Sequence, residues 1–219
     1  MSTPVASSSS ASTVVVPSDA GRRLWEIACN VVLSLLFLKF AIQQGEALLA
    51  TWRISTALML AKVSTDVVFY LIRKIPKGVS ISLYDWMVGI VGTYAIVLFR
   101  AESAGRDQLV GQVLQFGGIG LQVLAMLSLN RSIGMVAANR GIKTGGLYRF
   151  VRHPLYLSYV VAFLGYTISH PTSWNVGVYA AAVALWVLRL LTEERFLLQD
   201  PQYQEYSQRV RSRLIPGVF

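Results

Sequence analysis

The chain has 219 residues, of which 54% are hydrophobic and only 14% are charged. A soluble domain carries about 25% charged residues, so this composition indicates that lipid covers most of the surface. The net charge of +9 does not indicate nucleic-acid binding, because the basic residues lie between apolar stretches, as juxtamembrane Lys and Arg do. The single cysteine, Cys29, excludes an intrachain disulfide, and no Cys/His spacing typical of a metal site is present.

Residues 1–20 are rich in Ser, Thr and Ala and predict a disordered tail. Arg22 and Arg23 follow this tail and precede the first apolar stretch. A signal peptide has its basic residues before a short apolar run, so we expect this first stretch to remain as a membrane helix. The N-terminal helices then occupy 21–129, and a more polar region occupies 130–219.

Six apolar stretches approach the length of about 20 residues that crosses a hydrocarbon core. The predicted fold class is therefore all-α, a polytopic transmembrane helical bundle of about six spans. Within the second stretch, Lys62 and Asp66 are four residues apart and can pair on one helical face. We expect a polar contact that faces the bundle interior, with an ion pathway as the alternative. The predicted spans are Leu24–Gly45, Ser55–Ile72, Tyr84–Phe99, Leu109–Leu129, Pro154–Ser169 and Trp174–Leu191.

Basic residues predict the orientation of the bundle. With the N-terminus in the cytoplasm, the inside segments hold 14 Lys and Arg and the outside segments hold 3. This bias places both termini in the cytoplasm. The long inside loop from Asn130 to His153 has the composition of a folded, cytoplasmic lid rather than a linker. The segment Pro201–Arg213 predicts a short amphipathic helix at the inner interface, for which the simpler interpretation is a basic anchor without chemistry.

The first group of residues that suggests chemistry is Arg152-His153-Pro154-Leu155-Tyr156. Pro154 suits the first position of a helix, because its fixed φ is helical and its missing amide would have no partner there. The amides that follow, together with the positive end of the helix dipole, favour an anionic group beside Arg152 and His153. An interfacial belt that only caps a membrane helix is an equally weighted alternative.

The second group lies at the inner end of the sixth helix, where Arg189 and Glu193 are four residues apart and share a face. Glu194 is rotated by about 100° from Glu193, so only one glutamate faces the same pocket as Arg189, and we predict that it is Glu193. A simple Arg189–Glu193 ion pair is the alternative.

The fifth and sixth predicted helices are separated only by the turn His170-Pro171-Thr172-Ser173. They therefore form an antiparallel hairpin that brings His153 and Glu193 to one membrane depth. His170 falls at the opposite face, about 30 Å away. The two histidines are thus not expected to share a site.

These residues resemble a known family. The order Arg-His-Pro-Leu-Tyr, a helical hairpin, a Glu-Glu pair, Tyr203-x-x-Tyr206 and the ending Arg213–Pro216 is similar to that of the isoprenylcysteine carboxyl methyltransferases and their bacterial relatives. The phospholipid N-methyltransferases share the His-Pro-x-Tyr and Glu-Glu elements. The resemblance runs from Asn130 to Phe219 and implies a methyltransferase-like catalytic region. One departure is Ser158, where the family usually has glycine.

The resemblance implies that S-adenosylmethionine lies between the loop before the motif, the His-Pro-x-Tyr segment and the first glutamate, with Tyr148 beside it and Glu193 as its acidic partner. It implies a substrate-handling, catalytic role for Arg189. Glu194 is a second catalytic candidate, as the one nearby carboxylate that could act as a base. The other predicted cofactor-binding residues are Arg140, Gly141, Ile142, Lys143, Arg152, His153, Pro154, Leu155 and Tyr156.

The chemistry of these residues suits this cofactor. A glutamate suits its ammonium group, a helix N-terminus with His153 suits its carboxylate, and a tyrosine face attracts its sulfonium. A carboxylate acceptor, with a pKa of about 3.5, is already ionised at neutral pH and needs no base. Arg189 can hold such a carboxylate through two charge-assisted hydrogen bonds.

We therefore predict O-methylation of a carboxylate on a lipid-soluble or isoprenylated molecule that enters from the lipid bilayer, without a metal, in a bacterial cell membrane. Phospholipid (ethanolamine) N-methylation is the alternative within the same chemistry. An NADPH-dependent sterol-type reductase would need more basic residues for the cofactor's phosphate. A non-enzymatic transporter or scaffold predicts no cofactor binding.

Overall fold

A computed structural model describes residues 19–72, 78–79, 82–102, 106–129, 138–139 and 142–218. The described part of the chain is almost entirely helical, as predicted. Its only strands, β1 (Gly78–Val79) and β2 (Ala138–Asn139), form one short antiparallel pair. Two 3₁₀ turns cover Ala95–Leu98 and Gly146–Arg149. The seven α-helices of this part are α1 (Asp19–Thr51), α2 (Ile54–Ile72), α3 (Leu83–Tyr94), α4 (Leu109–Leu129), α5 (Pro154–Ser169), α6 (Ser173–Leu197) and α7 (Pro201–Arg209).

The six apolar stretches all form helices, and the first and sixth of these are longer than predicted. The third is shorter, because α3 ends at Tyr94 and a 3₁₀ turn covers Ala95–Leu98. Helix α1 begins at Asp19, inside the predicted tail, whose residues 1–18 lie outside the described residues. It continues past Gly45 to Thr51, because polar residues on one face do not end a helix. The helix ends where Trp52 adopts φ 53°, a left-handed conformation typical of the residue after a helix C-terminus. Helix α6 continues to Leu197 and therefore includes both glutamates.

The predicted hairpin of α5 and α6 is present. Its turn is short because Thr172 caps α6, where the Thr172 side chain accepts a hydrogen bond from the Asn175 amide at 3.0 Å. Helix α7 begins in a similar way, with Asp200 as its N-cap and Pro201 as its first residue. These caps fix where each helix starts.

Helices α4 and α5 pack backbone against backbone through small residues. A Cβ atom added to Gly118 would lie 2.5 Å from the backbone nitrogen of Ala162, and one added to Gly111 would lie 2.7 Å from the Gly165 carbonyl oxygen. No side chain fits at these distances. On the other side of α5, a buried aromatic core joins α1, α2, the first 3₁₀ turn and α6; it includes Phe37, Phe40, Phe99, Phe163, Tyr166 and Trp186.

The outer surface of the helices is strongly apolar. Large hydrophobic side chains such as Leu35, Val113 and Phe116 are 58%, 61% and 73% exposed. In the described part of the chain, α4 and α6 are long and apolar enough to cross a membrane, judged by length and composition. The segments Leu83–Leu98 and Pro154–Ser169 are apolar but shorter. Contiguous exposed apolar surface of this kind is typical of a lipid-facing or partner-facing exterior.

A polar cluster closes the end of the bundle where α5 turns into α6. Arg53 Nε lies 2.8 Å from Asp107 Oδ1, and the Ser55 hydroxyl donates to the same carboxylate at 2.5 Å. His170 Nδ1 accepts a hydrogen bond from the Glu102 amide at 2.9 Å, so Nε2 carries the ring proton and donates to Ser55 Oγ at 3.0 Å. Burial and the nearby Arg53 charge lower the pKa of His170 to about 4. The imidazole is therefore neutral at physiological pH.

Candidate active site

The start of α5 lies against the C-terminal segment of the chain. Pro154 is the first residue of the helix and His153 is its N-cap. The backbone amides of Arg152 and His153 donate to the carbonyl oxygens of Ser212 and Arg213 at 3.0 and 2.8 Å. The residues after α7 thus hold the approach to α5 in place, a contact between parts of the chain about 60 residues apart.

Glu194 is the centre of a buried polar cluster at this end of the hairpin. Its carboxylate lies 2.7 Å from Arg152 Nε and 2.5 Å from Arg213 Nε. His153 Nε2 lies 3.1 Å from Oε1, and the Tyr203 hydroxyl donates to the same oxygen at 3.3 Å. The four partners surround a side chain with only 5% exposure. This arrangement suits a group that fixes the start of α5 to the end of α6.

Glu193 has a different environment on the neighbouring face of α6. It is half-buried, and its Oε2 accepts a hydrogen bond from the Tyr156 hydroxyl at 2.8 Å. The Arg189 guanidinium lies over the Tyr156 ring, 5.7 Å from its centroid, and Arg189 Nη1 donates to the Thr93 hydroxyl at 2.9 Å. Glu193 and Arg189 of α6 therefore both lie against Tyr156 of α5.

Three buried tyrosines line the region between the loop and α7. The Tyr206 hydroxyl donates to the Tyr148 carbonyl oxygen at 2.6 Å, and the rings of Tyr203 and Tyr206 pack edge to face at 5.6 Å. Burial, with the carboxylates nearby, raises the pKa of Tyr148 and Tyr203 well above the usual value and that of Tyr206 to about 12. The hydroxyls therefore remain protonated at neutral pH.

The remaining predicted residues divide into three groups. Ile142 packs against the tyrosine cluster, and Lys143 is half-buried beside it. The side chain of Leu155 packs against Ala125 and Met126 of α4, so only its backbone can contact a ligand at the start of α5. Arg140 and Gly141 lie outside the described residues.

Ser158 stands where the family usually has glycine. It is buried, and its hydroxyl donates to the Leu155 carbonyl oxygen at 2.6 Å. This bond is made within the first turns of α5, and the start of that helix still lies against the end of α6.

Sequence reasoning did not anticipate that the C-terminal segment completes this region. Tyr203 was expected on an interfacial helix, yet its side chain is 4% exposed and packs inward. The tail motif that begins at Arg213 indicated that this segment matters. The motif did not show that Arg213 pairs with Glu194, because the two residues are brought together only by the fold.

Known proteins are similar in sequence to this region of the chain. The phospholipid methyltransferase family matches residues 107–204, which include α4, α5, α6 and the Glu-Glu pair. Methanethiol S-methyltransferase 1 of Bradyrhizobium diazoefficiens is 28% identical over 178 residues, which are 74% of this chain and 54% of that protein. Residues 107–204 of this chain are therefore similar to the phospholipid methyltransferase family. The chain spans about half the length of the curated relative that it matches.

The family match covers the α5–α6 hairpin but not α1, α2 or α3. The shared region is therefore the one that contains His153, Tyr156, Glu193 and Glu194. The roles of individual residues stay predictions, based on the resemblance and on the contacts described above.

Proposed function

We propose that this chain is a membrane-embedded methyltransferase that takes its methyl group from S-adenosylmethionine. The observation that carries the proposal is the contact between the two motif ends: Tyr156 of α5 hydrogen-bonds to Glu193 of α6 at 2.8 Å, inside the family match. The proposed topology has six spans with both termini and the 130–153 loop in the cytoplasm. The outward apolar side chains of α1 and α4 support it.

The residues present fit the proposed cofactor. The Glu193 carboxylate suits an ammonium group, and it is held in position by the Tyr156 hydroxyl. In the first turn of α5 the Tyr156 and Leu157 amides donate to the His153 carbonyl oxygen, so the Leu155 amide, at the positive end of the helix dipole, is the group that suits a carboxylate. The rings of Tyr148 and Tyr156 offer faces that attract a sulfonium. When bound, S-adenosylmethionine supplies an electrophilic methyl group.

The residues of the chain orient the acceptor and exclude water from the site. Arg189, which is 8% exposed, places a fixed positive charge beside Tyr156, where the acceptor must approach. It can orient a carboxylate or a thiolate, both of which carry the required lone pair. Excluding water from this region keeps the methyl group for the acceptor. The name of the Bradyrhizobium relative supports a thiol as an acceptor class beside the lipid-soluble carboxylate.

The test is an assay with methyl-labelled cofactor and the full chain in lipid nanodiscs. Three acceptors are offered separately: a prenylcysteine, an ethanolamine phospholipid and a small alkanethiol. We expect labelled methyl ester or thioether, and the Tyr156→Phe variant should lower kcat/KM by about tenfold or more, because it removes a hydrogen bond to a charged group. Tyr179→Phe is the control, since its hydroxyl bonds Val160 within the same hairpin. No product from any acceptor would refute the proposal, and product from the amine lipid alone would refute the carboxylate and thiol acceptors.

A further inference from the structure

An apolar groove lies on the exterior of the bundle, between α6 on one side and α3 with the following 3₁₀ turn on the other. Its volume is about 580 Å³, which is within the range of about 300 to 1,000 Å³ typical of ligand pockets. Val91 and Leu98, which line it, are each 52% exposed, so the groove opens to the surroundings of the protein. Apart from Ser173, its lining residues are aliphatic, aromatic or glycine. A ligand of this groove is therefore largely hydrocarbon.

The groove has about the length of one membrane leaflet. Its lining residues on α6 extend from Ser173 to Leu185, over which an α-helix rises by about 18 Å. The hydrocarbon core of a bilayer is about 30 Å thick, so one leaflet contributes about 15 Å. The groove therefore fits one acyl chain that lies along α6.

The end of the groove that faces Glu193 is closed. Trp186 Nε1 donates to the Gly92 carbonyl oxygen at 3.0 Å, and a Cβ atom added to Gly92 would lie 3.6 Å from the Leu185 Cβ atom. Helices α3 and α6 are therefore in contact there. Glu193 lies about 28 Å from Trp174 along the axis of α6. A ligand whose polar group lies at the Trp174 end is thus too far from the proposed cofactor residues to be the methyl acceptor.

The opposite end of the groove carries a fixed positive charge. The Arg100 amide donates to Asn175 Oδ1 at 3.0 Å, and the Arg100 carbonyl oxygen accepts from Asn175 Nδ2 at 2.9 Å. The Arg100 guanidinium lies over the Trp174 ring, 4.3 Å from its centroid. That ring is itself held, because its Nε1 donates to the Leu98 carbonyl oxygen at 2.8 Å. Tryptophan at the end of a membrane helix lies at the level of the lipid headgroups, which places Arg100 among them.

The Arg100 guanidinium can pair with an anion. Its side chain is exposed, and among the described residues no carboxylate forms an ion pair with it. A guanidinium binds a phosphate through two parallel, charge-assisted hydrogen bonds. In a bilayer the apolar walls alone do not retain a ligand, because the surrounding lipid tails are equally apolar. Retention therefore depends on the pairing of Arg100 with a phosphate.

We propose that this groove binds one phospholipid, with an acyl chain along α6 and its phosphate on the Arg100 guanidinium. The proposal goes beyond methyl transfer and rests only on the membrane placement proposed above. The bound lipid fills the space between α3 and α6 at the end of the bundle opposite Glu193. It stabilises the contact between these helices without touching the cofactor residues.

The first test compares two lipids with the same chains. Full-length, delipidated protein in detergent micelles is titrated with dioleoylphosphatidylglycerol or with dioleoylglycerol, which lacks the phosphate. Native mass spectrometry gives the number of bound lipids and the Kd. We expect one phosphatidylglycerol per chain, and an affinity for dioleoylglycerol that is lower by about 10-fold or more, the effect of losing a charged hydrogen-bonding partner.

The second test fills the groove. Gly177 lines it, and nothing lies within 4 Å of a Cβ atom added there, so Gly177→Leu is expected to fold. Its side chain occupies the groove and should abolish one-to-one binding of phosphatidylglycerol. Gly120→Leu is the matched control, because Gly120 is equally open but lies on α4.

The third test removes the charge at the polar end. Arg100→Gln should lower the affinity for phosphatidylglycerol to that for dioleoylglycerol. Arg106→Gln is the control, since Arg106 is an exposed arginine that does not line the groove, and it should bind like the wild type.

The outcomes that overturn the lipid site are distinct. Equal binding of phosphatidylglycerol by Gly177→Leu and Gly120→Leu would overturn it, and so would equal affinity of the wild type for the two lipids. Displacement of the lipid by a prenylcysteine would assign the groove to the methyl acceptor instead. The comparison of the two lipids on the wild type decides even if a variant does not fold. Because these titrations contain no cofactor, their failure is distinguishable from a failure of the proposed methyl transfer.

Discussion

Neighbouring glutamates have different surroundings because a helix rotates successive residues by about 100°. Glu193 lies beside Tyr156, and Glu194 lies among Arg152, His153 and Arg213. The sequence was sufficient to separate the two faces. It was not sufficient to predict the partners of Glu194, because those pairs depend on how the C-terminal segment folds back.

The Lys62–Asp66 pair, unlike the partners of Glu194, could be predicted from the sequence. The two residues are four apart in one helix, and their side chains meet at 2.6 Å as predicted. A local spacing is enough here because the helix itself fixes the distance. That the pair also lines a cavity beside Arg189 depends on packing between four helices, which no local spacing contains.

We predict that Glu194→Ala destabilises the protein strongly. The change leaves Arg152 and Arg213 without their shared carboxylate, and breaking a buried ion pair from one side costs about 3 to 5 kcal/mol, with the lower value expected because Arg213 is partly exposed. The measurement is chemical unfolding in detergent micelles. Glu205→Ala is the control, because Glu205 and its partner Arg209 are both exposed. Equal stability of the two variants would contradict the structural role of Glu194.

At the scale of elements, most helix positions followed from the sequence. Apolar length indicated six helices, Pro154 marked the start of α5, and the segment predicted from Pro201 begins where α7 begins. The capping role of Thr172 was not predicted. The inward position of α7 could not be predicted. Its pattern of tyrosines indicates an apolar face, but a membrane interface and a protein core satisfy that pattern equally well.

The contact between α4 and α5 gives a prediction at this scale. Gly118→Ala should lower the free energy of unfolding by about 1 to 3 kcal/mol, because the added methyl group meets the backbone of Ala162 and the helices must separate. Gly117→Ala is the control. Nothing lies within 4 Å of a Cβ atom added at Gly117, and alanine favours a helix by about 0.5 to 1 kcal/mol over glycine. Thermal unfolding in micelles compares the two, and a smaller loss at 118 than at 117 would contradict this packing.

At the scale of the whole molecule, the polar cluster around His170 connects α2, the segment before α4 and the α5–α6 turn. The folded pKa of His170, about 4, is below its ordinary value of 6.5, so the unfolded chain binds the proton more readily between these values. Stability should therefore be complete above about pH 6.5 and fall progressively as the pH approaches 4.

This prediction is measured as the unfolding midpoint between pH 7 and pH 4, with the His170→Gln variant in parallel. The variant should lose most of the pH dependence in this window. Asp107 titrates at a lower pH than His170. Burial opposes its ionisation, but hydrogen bonds from Ser55 and Arg53 lower its pKa to about 2. The stability that its carboxylate contributes is therefore lost only below its ordinary pKa of 3.8. An unchanged slope in His170→Gln would show that another group is responsible.

We propose that the start of α5 and the end of α6 enclose one cofactor. The most direct test is calorimetric titration of S-adenosylhomocysteine into the purified full chain, the Glu193→Gln variant and the exposed-site control Glu205→Gln. We expect binding to the wild type and to the control, with affinity reduced by about 10-fold or more in Glu193→Gln, because a charged partner of the ligand is lost. Absence of binding to the wild type, or equal affinity in all three proteins, would contradict it.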